Sequence, residues 1–337
     1  MLEVDGDAGG GQLLRSSLSL AAVTDRSVTV TNIRGSRPET GLKPQHLTAI
    51  EVLADICDAT VDGVERGSDE IVFRPATPEG GEFEAAVGTA GSVTLIFDTV
   101  LPLAIALEES LSLTVSGGTA VKWSPPLSAY QRVKLPLCRE AGIAASVERH
   151  RTGFYPAGGG MATLTINPSS LSPLSLGERG ALQGARLYSQ ASLDLEADDV
   201  ARRQAGATTK QLEAAGIDIL DKEILSTAAD STGSALTIEL RYENSRAGFA
   251  ALGEPETSAG SVATEAVSNA VAFNEGSAAV DRYLGDQLLV FLALGGGELT
   301  VPEQTAHIET SLALLETFGF DLSVTSETGR VRIRNDQ

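Results

Sequence analysis

GGGQLLRSSLSLAAV, residues 9–23, decides how this chain is read: a Gly-rich turn runs straight into an apolar helix. The plan recurs twice. Gly88-Thr89-Ala90-Gly91-Ser92 precedes VTLIFDTVLPLAIAL (93–107), and Gly276-Ser277 precedes AAVDRYLGDQLLVFLALGGG (278–297). Between these helices lie β-type runs bounded by Gly and Pro: SVTVTNI (27–33), SLTVSGG (112–118) and ATLTINP (162–168). Strand and helix alternating at this spacing predict an α/β fold with helices packed on sheets, and the recurrence hints at an internal repeat.

The texture changes near Gly177. ALQGARLYSQASLDLEADDVARRQAGATTKQLEAAGIDIL (181–220) reads as strand, helix, strand, with the helix starting around Asp198-Asp199 and stopping at Gly216. A polar loop, STAADSTGS (226–234), leads to the strand ALTIELRYE (235–243). Residues 177–274 are therefore expected to form a smaller inserted α/β domain, with 1–176 and 275–337 as the larger, catalytic one.

Composition narrows the class. A chain of 337 residues, 42% hydrophobic, can bury a proper core. No apolar run reaches the roughly 18 to 20 residues of a membrane span, and MLEVDGDAGGGQ has no signal-peptide pattern, so a cytoplasmic protein is expected. Cys57 and Cys138 sit in apolar surroundings and read as buried, reduced thiols. Asp plus Glu number 45 against 25 Lys plus Arg, a net charge of −20. Only Lys43, Lys122, Lys134, Lys210 and Lys222 are lysines, and the acids are spread along the chain. Such a surface suits a salty, halophilic cytosol in which self-repulsion is screened.

Three histidines can be weighed singly. His307, in TAHIETSLALLETFG, falls near a helix start with Thr310, Ser311 and Leu314 on its face, while Ile308, Leu312 and Leu315 mark the core stripe. It reads either as a surface histidine or, with a neighbour fixing its tautomer, as a nucleophile. His46 and Gln45 start the helix GLKPQHLTAIEVLADIC, just ahead of its apolar face. His150 sits in a charged turn, SVERHRTG, and reads as solvated. Gln12 and Arg15 follow a glycine cluster whose backbone N–H groups could hold an anion. Arg34 and Arg37, in a Gly/Pro-rich loop, are either phosphate-binding or merely solvated.

Taken in order, DGDAGGGQLLRSSLSL (5–20), IRGSRPETGLKPQHL (33–47), GTAGSVTLIFDTVLP (88–102), SGGT and SPP (116–126), GFYPAGGG (153–160), LGERG (176–180), RYLGDQLLVFLALGGGELT (282–300) and HIETS (307–311) resemble RNA 3′-terminal phosphate cyclases nearly end to end. The resemblance implies three repeated βα units, each a small sheet backed by two helices, with a smaller domain inserted before the last. It implies an enzyme, a nucleotidyl-transfer ligase in RNA processing, with ATP as co-substrate, a divalent ion (Mg or Mn), and RNA 3′-phosphate ends as partners. It leaves the oligomeric state open.

The resemblance makes His307 the nucleophile that takes AMP. Tyr283, Leu284, Gly285, Asp286 and Gln287 match the family's nucleotide-binding stretch, with Tyr283 stacking on adenine opposite Pro126. Gln12, Arg15, Arg34, Arg37, Gln45 and His46 match the pocket's polar lining. Ser311 stands where the family has Asn. Ala8 replaces a metal-holding glutamate, leaving Asp7 as the candidate acid. Asp98 replaces a glutamine and, close to ATP, needs a metal or arginine partner. Two other readings are a non-catalytic cyclase-like ribosome-assembly factor, whose kind lacks the histidine, and a carboxyvinyl transferase, which needs six such units and a longer chain. The acidic surface argues for recognition of one RNA end over binding along a tract.

Overall fold

The computed structural model describes residues 1–88 and 91–336; Thr89 and Ala90 of the second glycine cluster lie outside the described residues. The mixed α/β reading holds, in four sheets of four strands each.

The first stretch runs β1 (Leu2–Asp5), α1 (Gly10–Val23), β2 (Val28–Thr31), α2 (Pro44–Ile56), β3 (Thr60–Asp62) and β4 (Ile71–Arg74). β1 and β2 are parallel because a helix crosses between them, and β4 runs antiparallel to both β2 and β3. The second stretch repeats this order with β5 (Gly81–Ala86), α3 (Val93–Val100), β6 (Leu111–Gly117), a broken helix of α4 (Leu127–Ala129), a π turn (Tyr130–Lys134) and α5 (Leu135–Glu140), then β7 (Ala145–Arg151) and β8 (Gly160–Ile166).

The third sheet opens with β9 (Leu174–Leu176). The chain then leaves through β10 (Leu182–Ser192), α6 (Val200–Ala214), β11 (Ile219–Thr227), β12 (Ser234–Tyr242), β13 (Arg246–Gly253) and α7 (Ala259–Glu275). It returns through α8 (Arg282–Gly295), β14 (Gly297–Val301), α9 (Ala306–Thr317), β15 (Ser323–Glu327) and β16 (Arg330–Asn335). β9 pairs parallel with β14, so the excursion falls inside this third sheet, after its first strand, rather than ahead of it. The four strands of the excursion form the fourth sheet, in the order β11-β10-β12-β13.

Helices from the first three stretches share one apolar core, to which Leu14 and Leu18 of α1, Phe97 of α3, and Leu288 and Leu292 of α8 all belong. Small polar residues let α1 come close to its neighbours. The buried Ser17 hydroxyl donates to Leu13 O at 2.7 Å, and Ser19 donates to Thr99 O at 2.6 Å, so neither costs an unpaired group. The fourth sheet has its own core, built with α6 and α7 around Leu212, Leu236, Ile238, Phe249 and Phe273.

Three sequence expectations shift. His150 lies on strand β7, not in a turn, with Nε2 2.7 Å from the Thr163 hydroxyl. On α9 the buried leucines are Leu314 and Leu315, with Leu312 half-buried, because the helix rests edge-on against α8 and α1. His46 is itself buried rather than ahead of the buried face. Cys57 and Cys138 are buried free thiols, and burial pushes each up to about 12. No helix among the described residues is long and apolar enough to cross a membrane.

Candidate active site

A cleft of about 1560 Å³ opens where the N-terminal ends of α1, α2, α8 and α9 meet strand β13. Its described lining holds six basic side chains (Arg15, Arg34, Arg37, Lys122, Lys134, Arg282) and six acidic ones (Asp98, Glu254, Glu265, Asp281, Asp286, Glu303). An even balance inside a chain of net charge −20 makes this cleft electropositive relative to the rest of the molecule.

His307 lines the cleft from the first turn of α9. Thr305 starts that helix by accepting Ile308 N–H at 3.2 Å, which leaves the exposed His307 side chain at the helix mouth. One turn on, Ser311 Oγ donates to Asp286 Oδ1 at 2.8 Å, and Gln12 Nε2 donates to the other oxygen, Asp286 Oδ2. Burial pushes the Asp286 carboxyl up; the bonds from Gln12 and Ser311, then the nearby His307 and Lys134, pull it back. Three elements, α1, α8 and α9, thus converge on one carboxylate beside the histidine.

Asp98 also lines the cleft, and its ion-pair partner is a lysine: Lys134 Nζ lies 2.5 Å from its Oδ1. The π turn in the α4–α5 helix places Lys134, 4% exposed, over that carboxylate. Arg15 reaches between the acids. Burial pushes its guanidinium down, and Asp98 and Asp286 pull it back.

His46 is held by its backbone. Lys43 N–H donates to Nδ1 at 3.1 Å, which assigns the proton to Nε2, and Nε2 packs on Gly11, where a Cβ would stand 2.3 Å away. Burial, aided by Arg15, Arg34 and Lys43, pushes the imidazole down to about 3, so it stays neutral and offers an N–H into the cleft. Gln45 is spent otherwise: its amide grips Ser92, accepting Ser92 N–H at 2.6 Å and donating to Ser92 O at 3.2 Å. Gln12, also in the cleft lining, donates to Asp286. Arg34 sits in a left-handed turn, φ 60°; one Nη donates to Glu39 O at 3.2 Å, and its buried Nε has no partner among the described residues. The Arg37 guanidinium lies over Gly10, whose φ is 58°.

The stretch from Tyr283 to Gln287 divides. Tyr283 is 63% exposed on the rim with Arg282 4.7 Å over its ring. Leu284, Asp286 and Gln287 line the cleft, whereas Gly285 faces Val301, where a Cβ would come within 2.2 Å of Cγ1. Pro126 is buried at the start of α4, and Pro125 lines the cleft in its place. Asp7 turns away: Ser36 Oγ donates to it at 2.7 Å, and its other oxygen packs on Gly35. Among the described residues no group of three or more His, Cys, Asp or Glu could hold a metal.

Sequence reasoning missed Lys134 and Asp281. Asp281 caps α8 by accepting Tyr283 N–H at 3.0 Å and Leu284 N–H at 2.9 Å, and takes Gly248 N–H of β13 at 3.1 Å. The acid ahead of an apolar run was a cap signal in plain view. A lysine inside the apolar QRVKLPL was another.

A family model described as RNA 3′-terminal phosphate cyclase matches residues 7–324, and the chain belongs to that family. Two proteins named RNA 3′-terminal phosphate cyclase, from Halobacterium salinarum strains R1 and NRC-1, are each 47% identical to it over 332 residues, covering 95% of this chain and 96% of theirs.

Proposed function

We propose that this protein is an ATP-dependent enzyme that converts an RNA 3′-terminal phosphate to a 2′,3′-cyclic phosphodiester through a histidine–AMP intermediate. The single observation carrying the reading is His307 at the mouth of a charge-balanced cleft that holds Arg15, Arg34, Arg37 and Lys134, beside an Asp286 carboxylate fixed by Gln12 and Ser311. Family membership supports the same reaction.

In the first step a ring nitrogen of His307 attacks the α-phosphorus of ATP and pyrophosphate leaves. In this reading Arg34, Arg37 and the neutral His46 N–H, which line the cleft with His307, stabilise charge on the leaving phosphates, and Arg15 and Lys134 add positive charge. In the second step an oxygen of the RNA 3′-phosphate displaces the histidine and takes AMP. In the third the 2′-hydroxyl attacks that 3′-phosphorus, closing the ring and releasing AMP. Tyr283 is the platform for adenine, and Pro125, not Pro126, is the proline facing the cleft. In this reading 177–274 is an inserted domain whose β13 walls the cleft, while 1–176 and 275–337 carry the chemistry. The chain works in a salty cytoplasm.

Incubation with α-labelled ATP without RNA tests this. Label should join the protein, be lost in acid as a phosphoramidate is, and vanish in His307→Ala. Label surviving that substitution overturns the nucleophile, and absence of label under every salt and metal condition leaves the non-catalytic reading.

A further inference from the structure

We propose that Trp123 is the platform on which the terminal base of the RNA stacks while its 3′-phosphate enters the cleft; this rests on the cyclase reading above. Trp123 is the chain's one tryptophan, and at 90% relative exposure it is the barest of the exposed large hydrophobic side chains among the described residues. It lines the same cleft as His307, Arg34 and Arg37.

The indole is held out, not merely left out. Its backbone lies at φ 62°, a left-handed conformation that a bulky residue adopts only where its surroundings impose it. The turn is pinned on both sides. Val121 before it and Leu127 after it are buried, and Lys122 is tied to Glu254 at 2.8 Å with its Nζ 5.4 Å over the Tyr155 ring.

The reaction also needs a second ring. Two bases must be held, one on ATP and one at the RNA end, and the cleft lining presents two exposed aromatic side chains, Tyr283 and Trp123. Tyr283 starts α8, the helix that also carries Asp286 beside His307, which suits the adenine. Trp123 then takes the RNA base. Stacking is indifferent to base identity and less sensitive to salt than phosphate contacts, so it suits a chain of net charge −20 that must bind an anion in brine.

A single tryptophan makes the test direct. In His307→Ala, at a molar KCl concentration that keeps the protein folded, indole fluorescence is titrated with a short oligoribonucleotide ending in a 3′-phosphate, and separately with ATP. Saturable quenching by the oligonucleotide and little by ATP is the expected result. Quenching by ATP alone, or by neither, overturns the platform. In turnover, Trp123→Ala should raise KM for RNA about tenfold, with KM for ATP moving far less and Trp123→Phe restoring most of the loss. Should wild type cyclise RNA while Trp123→Ala does so with unchanged KM, the platform falls and the cyclase reading stands. If wild type makes no cyclic phosphate, the cyclase reading falls, and the fluorescence titration still decides whether the indole binds RNA ends.

Discussion

Ser311 Oγ donates to Asp286 Oδ1 at 2.8 Å, one helical turn from His307, and Gln12 holds the opposite oxygen of the same carboxylate. Side chains from α9 and α1 thus hold the two oxygens of one carboxylate on α8. Ser311→Ala removes one bond to an ionisable group, and should slow single-turnover labelling of His307 about tenfold or somewhat more. Ser311→Asn should retain most of the rate. Equal labelling rates in wild type and Ser311→Ala would mean that this bond does not orient the histidine's surroundings.

Asp98 and Lys134 form a pair with side chains 14% and 5% exposed. Lys134→Met leaves a carboxylate without its partner in the cleft, at a cost of about 3 kcal/mol or more, whereas the double variant Asp98→Asn, Lys134→Met should regain most of it. Denaturant unfolding of the wild type, Asp98→Asn, Lys134→Met and the double variant in one salt buffer gives the coupling. A double variant no better than Lys134→Met refutes the pairing.

His46 predicts a pH limb. Its folded value is about 3 against an ordinary 6.5, so between those values the unfolded chain binds the proton and the folded one does not. Stability from this residue is therefore full above pH 6.5 and falls as pH drops toward 3, a loss on the order of 5 kcal/mol in all. Unfolding free energy measured from pH 7 to pH 4 should decline more gently in His46→Gln than in wild type. Parallel profiles would contradict the buried, neutral imidazole.

Asp281 ties β13 to the first turn of α8 through three N–H groups. Asp281→Ala should cost about 2 kcal/mol in thermal unfolding and raise KM for ATP several-fold, since Tyr283 sits in that turn. Asp281→Asn, which keeps an acceptor oxygen, should recover part of both. A stability loss with unchanged KM would limit Asp281 to a structural role.

The charge of −20 should make stability rise with salt. The melting temperature is expected to climb steadily from dilute buffer to about 3 M KCl, as the screening length shortens to about 2 Å. Full stability in dilute buffer would contradict adaptation to brine.

Much of this was legible in the chain alone, for local reasons. Glycine clusters ahead of apolar runs marked α1 and α3, since turn chemistry and an amphipathic period are properties of neighbouring residues; Gly276 instead ends α7, at φ −83°, and Asp281 starts α8. Ordered motifs marked His307, Asp286 and the arginines as one set. They said nothing of which groups are spent on each other. Gln12, Gln45 and Asp7 looked like ligands in sequence; in the fold they bond to Asp286, Ser92 and Ser36. Those partners are 274, 47 and 29 residues away, distances over which no spacing rule operates.

The sequence by itself determined the α/β class, the glycine-led helix starts and the residue types of the cleft, because backbone preference and hydrophobic period act over a few residues. Only the tertiary structure decided that Lys134 answers Asp98, that Pro125 rather than Pro126 meets the cleft, that His46 is buried and neutral, and that Trp123 stands in solvent. Desolvation, charge pairing and hydrogen-bond competition are set by atoms from distant segments, and they act only once packing has brought those segments together.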